Sequence, residues 1–478
     1  MVCLRIGLRR PLVCLSVALL LTANLFAQVS ASVREHETMD SNELYLEGIA
    51  LAKKGQIDAA IRTFEKAVES DGRNPLLLDA TGAAYSLKGD LERAKRYFLK
   101  CLDQDPGFVP ARKNLAITYF RAGQYDLAAV EFHKLRDSSP ASASIANLFL
   151  GMIAEKRADY LDSAKLLEQS GTLLDRYPEA LLALAHAEFE LAHLRETQEA
   201  LAKLGAVQGR SVAQDLEAAQ LYSRLAHVAQ KRGDLGLAME SLRQAAKLDP
   251  TREDNFLDFS SLCVDYGNYP LALKAADIGL EHVPHSYRLL VQKGVVLENL
   301  GRFEESENTL REAGQIQKDN SVALLSLSIV QSHAGQLQDA ESTLTSALKD
   351  FPDNYYMHYH LGKVLLQLED ANPNDADLNR RATQAFREAI RWNPSFADSY
   401  YQLAKLSIHA SPKLAEQNLI KCLQLNPSHG PAEYALARLY LGTGRRAAGQ
   451  ALIDRFERQR RAEKLKENHK PRIDLAQD

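Results

Sequence analysis

The sequence is short of the residues that staple small folds. Its 478 residues include five Cys and one Trp, too few for a disulfide-dense scaffold. Only 25 Gly and 16 Pro interrupt it, which excludes collagen-like and low-complexity chains. Neither sign of charge prevails. The 58 Lys and Arg face 62 Asp and Glu, a net −4, a poor balance for a surface built to neutralise phosphates. Reactive signatures are missing as well: no Walker-type loop, Gly-x-Ser-x-Gly, Cys-x-x-Cys or His-Glu-x-x-His. What the chain has is Ala and Leu, at 46% hydrophobic and 25% charged residues. That is the composition of a globular protein made of helices.

The N-terminus stands apart. Arg5, Arg9 and Arg10 lie in a stretch without an acid, ahead of an apolar run from Pro11 to Ala27 and the small residues Val29-Ser30-Ala31. A basic start, a short greasy core and a small-residue exit read as a secretory signal peptide over residues 1–31. Leu25-Phe26-Ala27 offers a second cut. The run is 17 residues long, the lower limit for a span, so an uncleaved anchor helix is the competing reading. No later stretch is apolar enough to span. Removal of 1–31 deletes three Arg and no acid, taking the net charge from −4 to −7. It leaves Cys101, Cys263 and Cys422, an odd and scattered set that argues against a disulfide framework. Residues 32–40 form a short linker.

A period of 34 residues organises the rest of the chain. Gly48, Gly82 and Ala116 share it. So do Gly55, Gly89 and Gly123; Ala60, Ala94 and Ala128; and Phe64, Phe98 and Phe132. Each period holds two helical patterns around a Gly-centred turn. In these columns the chain resembles the tetratricopeptide repeat (TPR) family. Twelve repeats can be placed, at 41–74, 75–108, 109–142, 144–177, 178–211, 219–252, 253–286, 287–320, 321–354, 355–396, 397–429 and 430–463. The resemblance implies an all-α, right-handed solenoid of about twelve helix–turn–helix units. They fall in two blocks, 41–211 and 219–463, with a charged tail at 464–478.

The columns have physical reasons. A small residue at position 8 (Gly48, Gly82, Gly294, Gly362) lets paired helices approach, and an aromatic or aliphatic residue at position 24 fills the space between neighbouring repeats. Gly at position 15 suits the left-handed turn that ends a first helix, and Pro near position 32 ends the second. Cys101 falls at position 27, as does Cys422 once the one-residue shortening of its repeat is allowed for, and Cys263 falls at position 11, columns that favour small packing residues. Repeats 4 and 5 keep the pattern poorly, with Ser163, Ser170 and Thr197 where Ala is usual. They are expected to drift or to bend the array. Residues 212–218 are an insertion, and Asp370–Leu378 of repeat 10 reads as a polar, turn-rich loop.

Nothing in this pattern points to catalysis, a cofactor or a metal. Ser346 and Lys349 share a helix in a packing column. His358 and His360 are two apart and face different ways. His186 and His227 recur at position 9 but lack a third ligand. The basic tail (Arg455, Arg458, Arg460, Arg461, Lys464, Lys466, Lys470 and Arg472) is interleaved with Asp454, Glu457, Glu463 and Glu467, as a solvated helix would be.

A binding face is legible instead. In the family, positions 2, 5, 9 and 12 of the first helices line a concave groove. Position 5 becomes Tyr359, Tyr401 and Tyr434 in the last three repeats, and position 9 becomes Lys363, Lys405 and Arg438. Residues four apart share a helix face, so each Tyr accompanies a cation. Such a ladder suits a protein or peptide segment carrying acidic groups. The family's carboxylate clamp is not reproduced: its positions hold Tyr45, Ile49, Ala80, Pro110 and Asn114. The sequence thus reads as an exported, non-catalytic interaction scaffold in the periplasm or outside the cell, with no nucleic acid as partner. The alternative is a membrane-anchored subunit of an envelope assembly or secretion complex.

Overall fold

The computed structural model describes residues 40–372 and 376–467; the signal-peptide reading and the end of the tail lie outside them. Among the described residues there are 24 α-helices, one 3-10 helix and no strand. They divide into two compact units, one up to Leu221 and one from Tyr222. Within each, consecutive helices pack as antiparallel pairs and the pairs lean on their neighbours, an all-α solenoid.

Local chemistry sets the helix ends. In repeat 2, the Asn74 side chain accepts from Leu76 N at 3.1 Å, with Pro75 at the first helical position. Gly89 then ends that helix at φ +89°, a conformation cheap only without a Cβ. Asp90 caps the next helix through Arg93 N at 3.0 Å. The same turn closes repeats 4 and 5 on alanine, at Ala158 (φ +58°) and Ala192 (φ +63°). The turn is therefore kept where the sequence departs from the pattern, although the second helix of repeat 4 stops at Gln169 and is followed by a 3-10 helix, Gly171–Arg176.

Position 8 does what its size implies. A Cβ on Gly82 would stand 2.7 Å from the Phe98 ring, and one on Gly362 2.6 Å from Phe386. Both rings belong to the glycine's own repeat. Position 24 therefore fills a gap inside its repeat, in addition to facing a neighbour. The three described cysteines are free and buried, and burial pushes each thiol up to about 12. They act as packing residues.

Four boundaries differ from those read in the sequence. The first helix of repeat 4 begins at Pro140, capped by Ser139 through Ser142 N at 3.1 Å. Residues 212–218 are helical, lengthening the first helix of repeat 6 to Val212–Arg232. The division between the two units falls inside this helix. Repeat 10 spends its extra residues on two 17-residue helices, Tyr355–Ala371 and Ala376–Trp392, and not on a long loop. Leu368 and Leu378 are buried in the added turns, and Asn379 donates to Glu369 at 3.0 Å. Apolar burial favours helix in the described parts of that polar stretch, 370–371 and 376–378. The last helix runs from Arg446 to Glu467, past the repeat's end.

Candidate partner-binding site

Exposure along the first helices decides where a partner can be met. In repeat 4 positions 2, 5 and 9 are closed, Ile145, Leu148 and Met152 being buried, and in repeat 5 position 5 is closed at Leu182. In helix Pro140–Lys156, ten consecutive residues from Ile145 to Ala154 are buried, so no open face is left there. Position 5 is also buried at Tyr45, Ser223 and Leu257. It opens to half-buried at Val291, Leu325, Tyr359 and Tyr401 and reaches 44% exposed at Tyr434. Position 9 is half-buried at Val295 and Ile329, then exposed at Lys363, Lys405 and Arg438.

All six ladder residues lie in the second unit. They sit on helices Tyr355–Ala371, Ala397–Ser407 and Gly430–Gly442. Each tyrosine is braced from behind. Tyr359 meets Phe386 of its own repeat at 5.8 Å and Phe396 at 5.0 Å between ring centroids, and its hydroxyl is hydrogen-bonded by Gln402 of the next repeat. Tyr401 lies 4.9 Å from the His429 ring and Tyr434 5.5 Å from Phe456. Burial raises the Tyr359 and Tyr401 hydroxyls above the ordinary phenol range, so both remain neutral donors near neutral pH.

The cations are differently placed. Among the described residues, Lys363, Lys405 and Arg438 make no ion pair. Neighbouring cations do: Arg445 meets Glu416 at 2.6 Å, Arg391 meets Glu388 at 3.3 Å, and Arg381 pairs with Glu341. Lys363 Nζ stands 6.0 Å from the Tyr359 ring centre, a cation–π distance. Asp398, at position 2 of repeat 11, is engaged by His429 Nε2 at 3.0 Å. His429 Nδ1 accepts from Ala432 N, which leaves the ring proton on Nε2 to donate to that carboxylate.

Two aromatic groups beside the ladder had a weaker signal in the sequence. Tyr356 occupies position 2 and is 39% exposed, packing on His360 at 4.9 Å and Phe396 at 5.6 Å. Position 2 read down the repeats would have found it. His360 is pushed down to about 4 by burial and by the charge of Lys363, so it adds an uncharged ring. The histidines at position 9 have carboxylate company: His186 contacts Glu155 at 2.7 Å, and His227 contacts Asp258 at 3.2 Å. No group of three metal-ligating side chains is assembled among the described residues.

A second polar cluster lies in the first unit, at position 5 of repeat 2 and positions 5 and 6 of repeat 3. Asn114 donates to the Asp79 carboxylate at 2.9 Å. Burial lifts Asp79 to about 6 despite that bond and the nearby Lys113, and lowers Lys113.

Comparison with known proteins agrees with this architecture. Profiles described as tetratricopeptide repeat match residues 45–107, 87–148 and 219–252. One described as the N-terminal TPR repeats region of Psidin matches 262–372. The cellulose synthase 2 operon protein C of Komagataeibacter xylinus is 23% identical over 338 residues, 64% of this chain and 25% of its own. A TPR- and J-domain co-chaperone of Fusarium oxysporum, DNJ1, is 29% identical over 145 residues, covering 29% of this chain and 28% of its own. The chain thus spans about a quarter of the length of these relatives. Among solved structures, yeast Tom70 aligns at TM-score 0.43 and 16% identity, over 87% of this chain and 91% of that one. A tetratricopeptide repeat protein of Parabacteroides merdae aligns at 0.40 and 15%, over 55% and 98%.

Proposed function

Because the chain is a tetratricopeptide-repeat protein, we propose that it is a non-catalytic scaffold that captures a protein segment on the first helices of repeats 10–12. The observation that carries this reading is the row of three exposed cations without ion pairs among the described residues, each one turn from a braced tyrosine. Tyrosine offers contact area at low entropic cost, and rim cations orient and attract an acidic partner. The bound segment is acidic. Its carboxylates meet Lys363, Lys405 and Arg438, and its apolar atoms lie on Tyr359, Tyr401 and Tyr434.

Export belongs to the same proposal. The basic start and 17-residue apolar run at Pro11–Ala27 support a leader that carries the chain out of the cytoplasm. The length of that run equally supports the second reading, an anchored subunit of an envelope assembly or secretion complex. Detection of Met1 in the purified protein by mass spectrometry selects the anchored form; a first residue at Ser32 or Gln28 selects the released one.

The binding reading is tested by reversing the ladder's charge. Lys363→Glu, Lys405→Glu and Arg438→Glu together should abolish measurable binding of a poly-aspartate-bearing peptide by fluorescence anisotropy, with helicity by circular dichroism unchanged. Unchanged binding rejects the ladder.

A further inference from the structure

Polarity changes along the first helices of the second unit before the ladder begins. In repeat 7, positions 2, 5 and 9 hold Asp254, Leu257 and Ser261, and Leu257 is buried. In repeats 8 and 9, positions 5 and 9 are aliphatic on both helices: Val291 and Val295, then Leu325 and Ile329. All four are half-buried, and Val322, at position 2 of repeat 9, is 47% exposed. Residues three or four apart share a helix face, so each set lies along one face of its helix.

The two helices, Tyr287–Asn299 and Ser321–His333, pack on one another and are joined at both ends. Ala323 N donates to the Tyr287 hydroxyl at 3.1 Å, and the Glu298 carboxylate meets His333 Nδ1 at 2.6 Å. Ser321–His333 packs in turn on Tyr355–Ala371, where Ser332 Oγ donates to Gln367 Oε1 at 2.7 Å. Leu325 and Tyr359 lie against the same core cluster. The aliphatic strip of repeats 8 and 9 therefore runs up to the first rung of the ladder. Its charges are paired except at that end. Arg288 is held by Glu253 and Asp254, and Glu298 by His333, whereas Lys363 is exposed and without an ion pair among the described residues. Single exposed aliphatic residues are ordinary, but five on two joined helices mark a docking surface. Aliphatic side chains laid on it release water from both surfaces; charged ones would lose hydration and find no partner short of Lys363.

We infer that the first helices of repeats 8–10 take a partner segment in which a run of aliphatic side chains adjoins an acidic residue. The aliphatic run covers Val291, Val295, Val322, Leu325 and Ile329, and the carboxylate meets Lys363. Charge complementarity at Lys363 fixes the sign of the acidic end, and the paired charges along the strip fix the apolar character of the rest. This inference rests on the proposed binding reading at Lys363 and adds an apolar half to the ligand.

The test uses the full chain and fluorescence anisotropy with three labelled peptides of equal length. One carries a block of Leu followed by a block of Asp. The second has Ser in place of each Leu, and the third has Asn in place of each Asp. The first should bind roughly tenfold more tightly than the second and severalfold more tightly than the third. Val322→Ser, a change at an exposed side chain, and the near-isosteric Val295→Thr should each weaken the first peptide and narrow its lead over the second, with helicity by circular dichroism retained. Lys363→Glu should remove the preference for the first peptide over the third. Equal binding of the first two peptides overturns the apolar half and leaves acidic capture standing. Equal binding of the first and third overturns the contact at Lys363, and the acidic reading with it. Binding of none overturns both. Self-association of the chain in analytical ultracentrifugation that Val322→Ser abolishes makes a second copy the occupant and overturns the inference.

Discussion

At Ala158 and Ala192 an ordinary L-residue holds the left-handed conformation that glycine holds in most other repeats. The Cβ costs about 1 kcal/mol in that region, partly offset by the lower entropy of an unfolded alanine. Ala158→Gly and Ala192→Gly should each stabilise the first unit by up to about 1 kcal/mol. Urea denaturation should show both midpoints rising, while glycine at the ordinary helical position Ala183 should lower it. Asp79 makes a second residue-scale prediction. Its carboxyl is raised to about 6 by burial, against about 4 in an unfolded chain. Between those values the native state holds the extra proton, so stability falls as pH rises across the window and is level above it. Asp79→Asn keeps an acceptor for Asn114. It should add on the order of 1 kcal/mol near pH 7, after discounting for the side chain's partial exposure, and nothing near pH 4. An equal gain at both pH values would contradict the burial of that carboxyl.

Among the helices, Arg446–Glu467 is the second of repeat 12 and packs on the first, with Phe456 on Tyr434 and Arg455 on Glu433. Glu433 is fully buried, and its Oε2 has no hydrogen-bond partner among the described residues, so the Arg455 pair is what compensates its charge. Arg455→Ala leaves a buried carboxylate alone and should cost about 2–3 kcal/mol, confined to the final repeat. Hydrogen exchange should show faster exchange in Arg446–Glu457 than in repeats 8–10, and Glu433→Gln in the same chain should recover part of the loss. Because Phe456 backs Tyr434, the variant should also weaken binding at the third rung. At this scale the composition of repeat 10 misleads. "DANPNDADL" has the composition of a loop, yet turns added to both helices bury Leu368 and Leu378. Local propensity lost to burial that only the packed neighbours provide.

For the whole molecule, a solenoid's stability is a sum over repeats and their junctions. The second unit has its own clusters of buried side chains around Phe386 and around Leu419 and Leu436, and it holds all six ladder residues. A fragment from Val212 to the C-terminus, which keeps helix Val212–Arg232 intact, should be fully helical by circular dichroism. It should bind the acidic peptide with the affinity of the full chain. A loss of affinity above about tenfold in a folded fragment would place part of the site in the first unit.

The repeat length, the helical class and the small and large columns at positions 8 and 24 were legible in the one-dimensional pattern, whereas the packing of one column on the other inside a single repeat came from the structure. A 34-residue period of Gly, Ala and Phe has one way to bury its apolar stripes, and Gly82 against Phe98 shows that way being taken. The Tyr and cation columns were equally visible, because residues four apart share a face in any helix. Exposure was decided elsewhere. Leu148, Val291 and Tyr434 stand at the same repeat position, yet one is sealed, one half-covered and one open. Accessibility depends on what packs above a side chain, and in a stacked array that is set by neighbours distant in sequence. Only the tertiary structure could tell the open rungs from the closed ones.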